Sequence, residues 1–248
     1  MTTPPLRHAE HVMGTVFSFT VRDPAPSTLG ALRRVTARLH ELDALFSPYR
    51  PDSPVSRLGR GELALADCDP RIGEALRQCA RIAEETDGYF TDHPAGRLDP
   101  SGWVKGWAIE EASRALSEAG STAHCVSGGG DVQTVGGPWR IGVAEPLQPG
   151  ALATVITGHD LAVATSGTAE RGAHIHDPHT GRPATALASL TLVGRGIADT
   201  DAYATAAFAM GSDRALAWAA ARPDLEALAI LPDGRSLSTP GLARWTAA

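Results

Sequence analysis

Four short segments of this 248-residue chain concentrate glycine, histidine, lysine and carboxylates more densely than a scaffold needs. In Ser127-Gly-Gly-Gly-Asp131, three glycines follow an apolar run. They let the backbone approach a ligand closely, adopt positive φ and turn successive N–H groups toward an anion. The segment is neither a Walker A loop nor a GxGxxG fingerprint, and a plain turn is the competing reading. Asp99-Pro-Ser-Gly-Trp-Val-Lys105 sets a carboxylate ahead of a helix and a lysine near its first turn. A cation there opposes the helix dipole unless an anion shares the site. A solvated lysine is the plainer alternative.

Thr165-Ser-Gly167 precedes His174-Ile-His176-Asp177-Pro178. An imidazole can act as a base near neutral pH, with Asp177 available to orient it. Counting His179 the run offers three histidines. Without a thiolate or an HExxH pattern a transition-metal site is the weaker idea, and a turn with surface histidines is the commoner outcome. Asp201-Ala-Tyr-Ala-Thr205 opens a helix, and residues four apart share a face. Its carboxylate and hydroxyl can therefore aim at one spot, where two hard oxygens supplemented by carbonyls suit Mg2+. The alternative is an N-capping aspartate with an incidental threonine.

The surrounding elements follow from periodicity. Met13 to Val21 is rich in β-branched and aromatic residues and reads as a strand. Ser27 to Phe46 places Leu29, Leu32, Val35, Leu39, Leu42 and Phe46 at helical spacing, with Ser27 as N-cap. Asp69-Pro70 opens a second helix that Gly88 closes, and Lys105 to Leu116 forms a third, closed by Gly120. Strands are expected at 123–126, 139–144, 161–165 and 190–193. Helices follow at 201–210 and 212–221, then a strand pair turning at Asp233-Gly234. Helices and strands do not alternate strictly, so the expected fold is α+β, with mixed or antiparallel sheets and packed helices. One domain over residues 1–248 is expected, with two intimately packed subdomains as the alternative.

Bulk properties narrow the function. Apolar residues make up 43% of the chain, enough for a sizeable core. A net charge of -6 excludes a general nucleic-acid binder, and any anionic ligand must find local help from amides, a lysine or a metal. Cys68, Cys79 and Cys125 have no zinc or CxxC spacing. No stretch approaches a membrane span, and MTTPPLRHAEH does not read as a signal peptide. A cytoplasmic protein is expected.

In order and spacing these blocks resemble the ApbE family of FAD:protein FMN transferases. The resemblance runs from about Met13 to Gly211. It rests on Met13-Gly-Thr15, Phe46-Ser-Pro-Tyr49 with Ser53 to Leu58, Lys105-Gly106, Gly128 to Asp131 and Pro138-Trp139. It continues through Thr165-Ser-Gly167, His174 to Pro178 with Gly181, and Asp201 to Thr205. The resemblance implies that Met13 and Tyr49 flank the aromatic parts of FAD and that Tyr89, Phe90 and Thr91 meet it through their backbone. Asp99 and Lys105 would hold the nucleotide, with Gly128, Gly129, Gly130, Asp131 and His176 completing the binding set. Gly102 (by its carbonyl), Asp201 and Thr205 would ligate Mg2+, and His174 would be the general base. The implied partner is an acceptor flavoprotein offering a threonine, to which FMN becomes phosphoester-linked as AMP leaves. Gly59, Thr91, Glu110, Ala169 and Ala204 depart from the residues usual in the family. An FAD pyrophosphatase and a non-catalytic FAD-binding protein are the alternatives.

Overall fold

A hairpin opens the chain where the sequence suggested a single strand. In the computed structural model, which describes residues 4–169, 172 and 174–246, β1 (Leu6–Val12) pairs antiparallel with β2 (Thr15–Val21). Their two-residue turn is Met13-Gly14, with φ of 55° and 69°, the conformation that matches the twist of the flanking strands. β1 escapes a hydrophobic pattern because His8 and Glu10 share its inward face with Leu6 and Val12. His40 of the following helix meets Glu10 at 2.8 Å.

Four helices follow: α1 (Thr28–Phe46), the short α2 (Pro54–Gly59), α3 (Pro70–Glu85) and α4 (Ser101–Glu118). Then come β3 (His124–Gly128), β4 (Asp131–Val135), β5 (Trp139–Ala144), β6 (Leu152–Gly158), β7 (Ala162–Gly167) and β8 (Ser189–Gly194). The chain continues through α5 (Ile197–Met210), α6 (Ser212–Ala220), β9 (Glu226–Ile230) and β10 (Ser236–Ser238). Eight strands form one sheet in the order β1-β2-β3-β4-β7-β8-β9-β10, while β5 and β6 make a separate ribbon. Every named pairing is antiparallel, so the α+β expectation holds in its antiparallel form.

One face of the sheet carries the helices over a core that includes Phe17, Phe19, Leu39, Phe46, Ile109, Leu116 and Phe208. The other face packs Val132, Val163, Val193 and Leu228 against Ile141, Val143 and Ile156 of the β5–β6 ribbon. β8 is covered on both sides, and all six of its residues are buried. Each large apolar side chain so covered contributes about 1.5–3 kcal/mol. A one-residue slip would forfeit many of these at once, which pins the register.

Helix starts separate local signals from tertiary ones. Asp69 accepts from the Arg71 amide at 3.0 Å and Pro70 takes the first position of α3, as expected. Ser27 occupies the cap position of α1 but donates instead to the Ala119 carbonyl, and Leu29 is 58% exposed rather than in the core. α4 begins at Ser101, not Lys105, and α5 at Ile197, not Asp201. Lys105 and Asp201 therefore both sit in second turns, and Asp201 is no cap. The first amides of α5 are satisfied from elsewhere: Gln133 Oε1 accepts from Ile197 at 2.9 Å and Glu110 Oε2 from Ala198 at 3.1 Å. No pattern local to residues 195–201 could reveal that start.

Candidate functional site

α4 and α5 pack closely at Gly106. A Cβ there would lie 2.6 Å from the Ile197 carbonyl oxygen and 3.1 Å from Asp201 Cβ. Only a glycine admits this approach, and it sets Lys105 beside Asp201. The ammonium lies 3.3 Å from Asp201 Oδ1 and also donates to Asp131 Oδ2 at the start of β4. The Thr165 amide on β7 donates to Asp131 Oδ1 at 3.0 Å. Two strands and two helices thus converge on one lysine and two buried carboxylates. Lys105 is thus not the solvated lysine of the plainer reading, and the anions beside it are the protein's own.

Burial works against the Lys105 charge, but the carboxylates of Asp201 and Asp131 outweigh it and hold the ammonium above its usual range. Burial pushes the Asp201 carboxyl well above the ordinary range, against the pull of Lys105, and the nearby Asp131 charge adds to the push. Asp201 Oδ2 is buried with no hydrogen-bond partner. A buried carboxylate oxygen left unpaired is costly and marks where a cation fits. Thr205 Oγ1, one turn along, lies 3.4 Å from Ser166 Oγ of β7, and both are hard donors. Gly102, whose carbonyl the family resemblance implies as a ligand, lies in the first turn of α4, on the same helix as Lys105. Among the described residues no group of three or more His, Cys, Asp or Glu side chains is assembled as a metal centre. Carboxylate and hydroxyl oxygens such as those of Asp201 and Thr205 are ligands for a hard cation rather than a soft one.

The glycine triplet is a hairpin turn. Gly128 and Asp131 pair across β3–β4, with Gly129 and Gly130 between them at φ of 58° and 90°. Gly128 is a packing glycine, since a Cβ would stand 3.1 Å from Phe17 Cζ. Gly129 is the one that faces the site: its Cβ would come within 3.3 Å of Thr15 Oγ1 and 3.7 Å of Lys105 Cδ. Because β2 pairs with β3, the Met13-Gly14 turn lies at this same end of the sheet.

The segment leading into α4 forms a second group. Asp99 Oδ1 accepts from the Ser101 amide at 3.0 Å. The amides of Tyr89 and Phe90 are spent on the Thr86 carbonyl and hydroxyl, at 3.1 Å each. Thr91 Oγ1 accepts from the His93 amide at 3.0 Å. The Phe90 ring is buried and lies against Gly102, whose Cβ would be 3.2 Å from it. Tyr49, by contrast, is 84% exposed, a ring with no packing role of its own.

His174 and His176 are exposed, on the long connection between β7 and β8. His174 Nδ1 lies 3.0 Å from the Gly172 carbonyl oxygen, which can only accept. The proton is therefore on Nδ1 and the lone pair on Nε2, the arrangement a base requires. Asp177 does not orient this ring. Its carboxylate is spent on its own turn, accepting from the His179 amide at 2.9 Å and the Thr180 hydroxyl at 3.0 Å. Ala169 is an exposed turn residue just after β7. The sequence reading did not single out Gln133 and noted Glu110 only as a departure from the family, whereas both side chains accept from the first amides of α5.

The helix-covered antiparallel sheet is a fold shared with solved structures named as flavin transferases. The flavin transferase ApbE from Vibrio cholerae has a TM-score of 0.84 to this chain, with 21% identity over 97% of this chain and 99% of that one. The ApbE protein from Thermotoga maritima reaches 0.88 with 20% identity over 98% and 100%. The ApbE family model matches residues 13–92 and 91–229, and this chain belongs to the ApbE family. The FAD:protein FMN transferase of Rhodobacter capsulatus is 32% identical over 200 residues, covering 71% of this chain and 38% of its own length. That of Vibrio cholerae is 31% identical over 177 residues, covering 65% and 53%. The chain thus spans about half or less of the length of these two curated relatives.

Proposed function

We propose that this chain transfers FMN from FAD to a threonine of an acceptor flavoprotein, with Mg2+ resident and AMP as the leaving product. The observation that carries the reading is Asp201 Oδ2, a buried carboxylate oxygen without a partner beside an already neutralised lysine. With both carboxylates ionised, Lys105, Asp131 and Asp201 carry one net negative charge, which repels the pyrophosphate of FAD. A divalent cation reverses that sign, and only then does the site attract its substrate. Asp201, Thr205 and the Gly102 carbonyl are the groups that would hold the ion. When bound, it neutralises charge on the pyrophosphate.

The chain's own groups account for the rest. An ammonium has three donors. Asp131 and Asp201 engage two of those on Lys105, leaving one for a phosphate oxygen. Asp131, itself fixed by the Thr165 amide, keeps Lys105 in place. Met13 and the exposed Tyr49 offer a thioether and a ring for the flat parts of FAD. Gly128 to Asp131 with Asp99, His176 and the Tyr89 to Thr91 backbone line the nucleotide's path. His174 Nε2 takes the proton of the acceptor threonine as its oxygen attacks the phosphorus of the FMN half. The bond from that phosphorus to the bridging oxygen breaks, and AMP leaves with the electron pair.

The test is to incubate the protein with FAD, Mg2+ and a flavoprotein subunit carrying a candidate threonine, then weigh the acceptor. One FMN per acceptor with equimolar AMP supports transfer. Free FMN and AMP with an unlabelled acceptor would make water the acceptor and the protein a pyrophosphatase. Intact FAD would leave only a binding protein.

A further inference from the structure

The Asp177 to Gly181 turn closes on itself. Asp177 accepts from the amides of His179 and Gly181 and donates its own amide to the Arg182 carbonyl. One bond leaves it. His179 Nε2 lies 2.9 Å from the carbonyl oxygen of Asp87, 92 residues away at the end of α3. Among the described residues, every other hydrogen bond of segment 174–184 ends within the β7–β8 connection itself. Beyond it, Ile175 packs on the core.

The receiving surface is shaped for that ring. The His179 and Tyr89 centroids stand 4.5 Å apart at 61°, edge to face. Asp87 and Gly88 both take positive φ, 53° and 75°, and a Cβ on Gly88 would come 3.5 Å from His179 Cε1. Asp87, a non-glycine residue in a costly conformation, is held there by an ion pair with Arg214 of α6. The Arg214 guanidinium also lies 4.8 Å from the Tyr89 ring centroid. Elements from three parts of the chain thus converge on one histidine five residues after the base.

We infer that His179 is a positioning residue: it fastens the β7–β8 loop to the Asp87–Tyr89 surface and so holds His174 where the acceptor threonine arrives. The inference rests on the transferase reading for its kinetic arm but not for its structural one. Nε2–H donates to the Asp87 carbonyl in the Nε2–H tautomer and in the imidazolium alike. His179→Ala should speed deuterium exchange across segment 174–184 by about tenfold or more and lower kcat for FMN transfer about tenfold, the scale of one lost hydrogen bond with its ring contact. FAD affinity should stay within about twofold of the parent and the acid limb of the rate profile should not move. His179→Gln, which keeps an N–H for the Asp87 carbonyl, should recover most of both losses. Parental exchange, parental kcat, a matching loss of FAD affinity, a shifted acid limb or no rescue by glutamine would each overturn the assignment. If the parent protein transfers no FMN to any acceptor, the proposed function fails by that result, while the exchange experiment still decides whether His179 is the latch.

Discussion

Asp201 Oδ1 stands 3.3 Å from the Lys105 ammonium while the other oxygen of the same carboxylate, also buried, meets no donor. Lys105 is already paired with Asp131, so Asp201 is the surplus charge of the cluster. Without metal, Asp201→Asn trades a buried charge for a neutral amide and leaves no cation unpaired. The variant should therefore melt no lower than the parent, whereas breaking a needed buried pair costs about 3–5 kcal/mol. Mg2+ should raise the melting temperature of the parent by mass action and leave that of the variant unmoved. Equal Mg2+ shifts in both proteins would remove Asp201 from the metal site.

Glu110 gives a pH dependence with a definite sign. Burial raises its pKa above the ordinary 4.5, and the carboxylates of Asp199 and Glu111 reinforce this while the Ala198 and Ile197 amides pull the other way. A raised folded-state pKa contributes stability that is complete below the unfolded value and lost as pH climbs through the folded one. Glu110→Gln keeps an acceptor for the Ala198 amide but has no charge to bury. Urea midpoints should therefore move in the variant's favour, relative to the parent, as pH rises above the ordinary carboxyl value of 4.5. A gap that stays constant or moves the other way would show that Glu110 ionises at no cost.

How far the sequence disclosed this site depends on whether a signal was local. Lys105, Asp131, Asp201 and Thr205 stood out by residue type beside glycine-rich turns or on a helix face, but plainer readings competed until the family resemblance gave them roles. The α1 and α3 faces were legible from spacing, and the Asp69-Pro70 start from capping chemistry. What stayed hidden depends on distant partners. β1 carries polar residues on its inward face, and α5 borrows its first two acceptors from β4 and α4. Tyr89 was assigned by its backbone alone, whereas its ring is the seat for His179. Asp177 looked like an orienting acid because it adjoins His176, yet a carboxylate three residues ahead of a Thr-Gly turn is better used locally.

The contact at Gly106 sets two effects of alanine against each other. In a helix interior, Gly→Ala ordinarily gains roughly 0.5–1 kcal/mol from backbone entropy. Here the new methyl would sit 2.6 Å from the Ile197 carbonyl oxygen, which is backbone and cannot swing aside. Overpacking of this kind costs roughly 1–3 kcal/mol, so the clash should win and the variant should be destabilised. Moving α5 off α4 also moves Asp201 from Lys105, so Mg2+ and FAD titrations should weaken together. A Gly106→Ala protein as stable as the parent, with unchanged Mg2+ affinity, would mean that this contact does not set the cluster.

His174 is the residue on which transfer rather than binding turns. Its Nδ1–H is committed to the Gly172 carbonyl at 3.0 Å, so Nε2 is left to accept a proton. His174→Ala should bind FAD as the parent does, by quenched flavin fluorescence, yet lose transfer about 100-fold or more, the usual scale for a missing general base. In the parent the rate should fall toward acid, since an imidazolium has no lone pair to offer. His176 also keeps Nε2 free, its Nδ1 lying 3.2 Å from the His174 carbonyl. It is assigned to the nucleotide, so His176→Ala should weaken FAD binding more than it slows turnover at saturating FAD. If a carboxylate were the base instead, the His174→Ala variant would keep most of its activity and the acid limb would lie near about pH 4. Loss of FAD affinity and turnover in equal measure on His174→Ala would place His174 in the binding set. Intact binding with lost transfer separates the base from every other group on this loop.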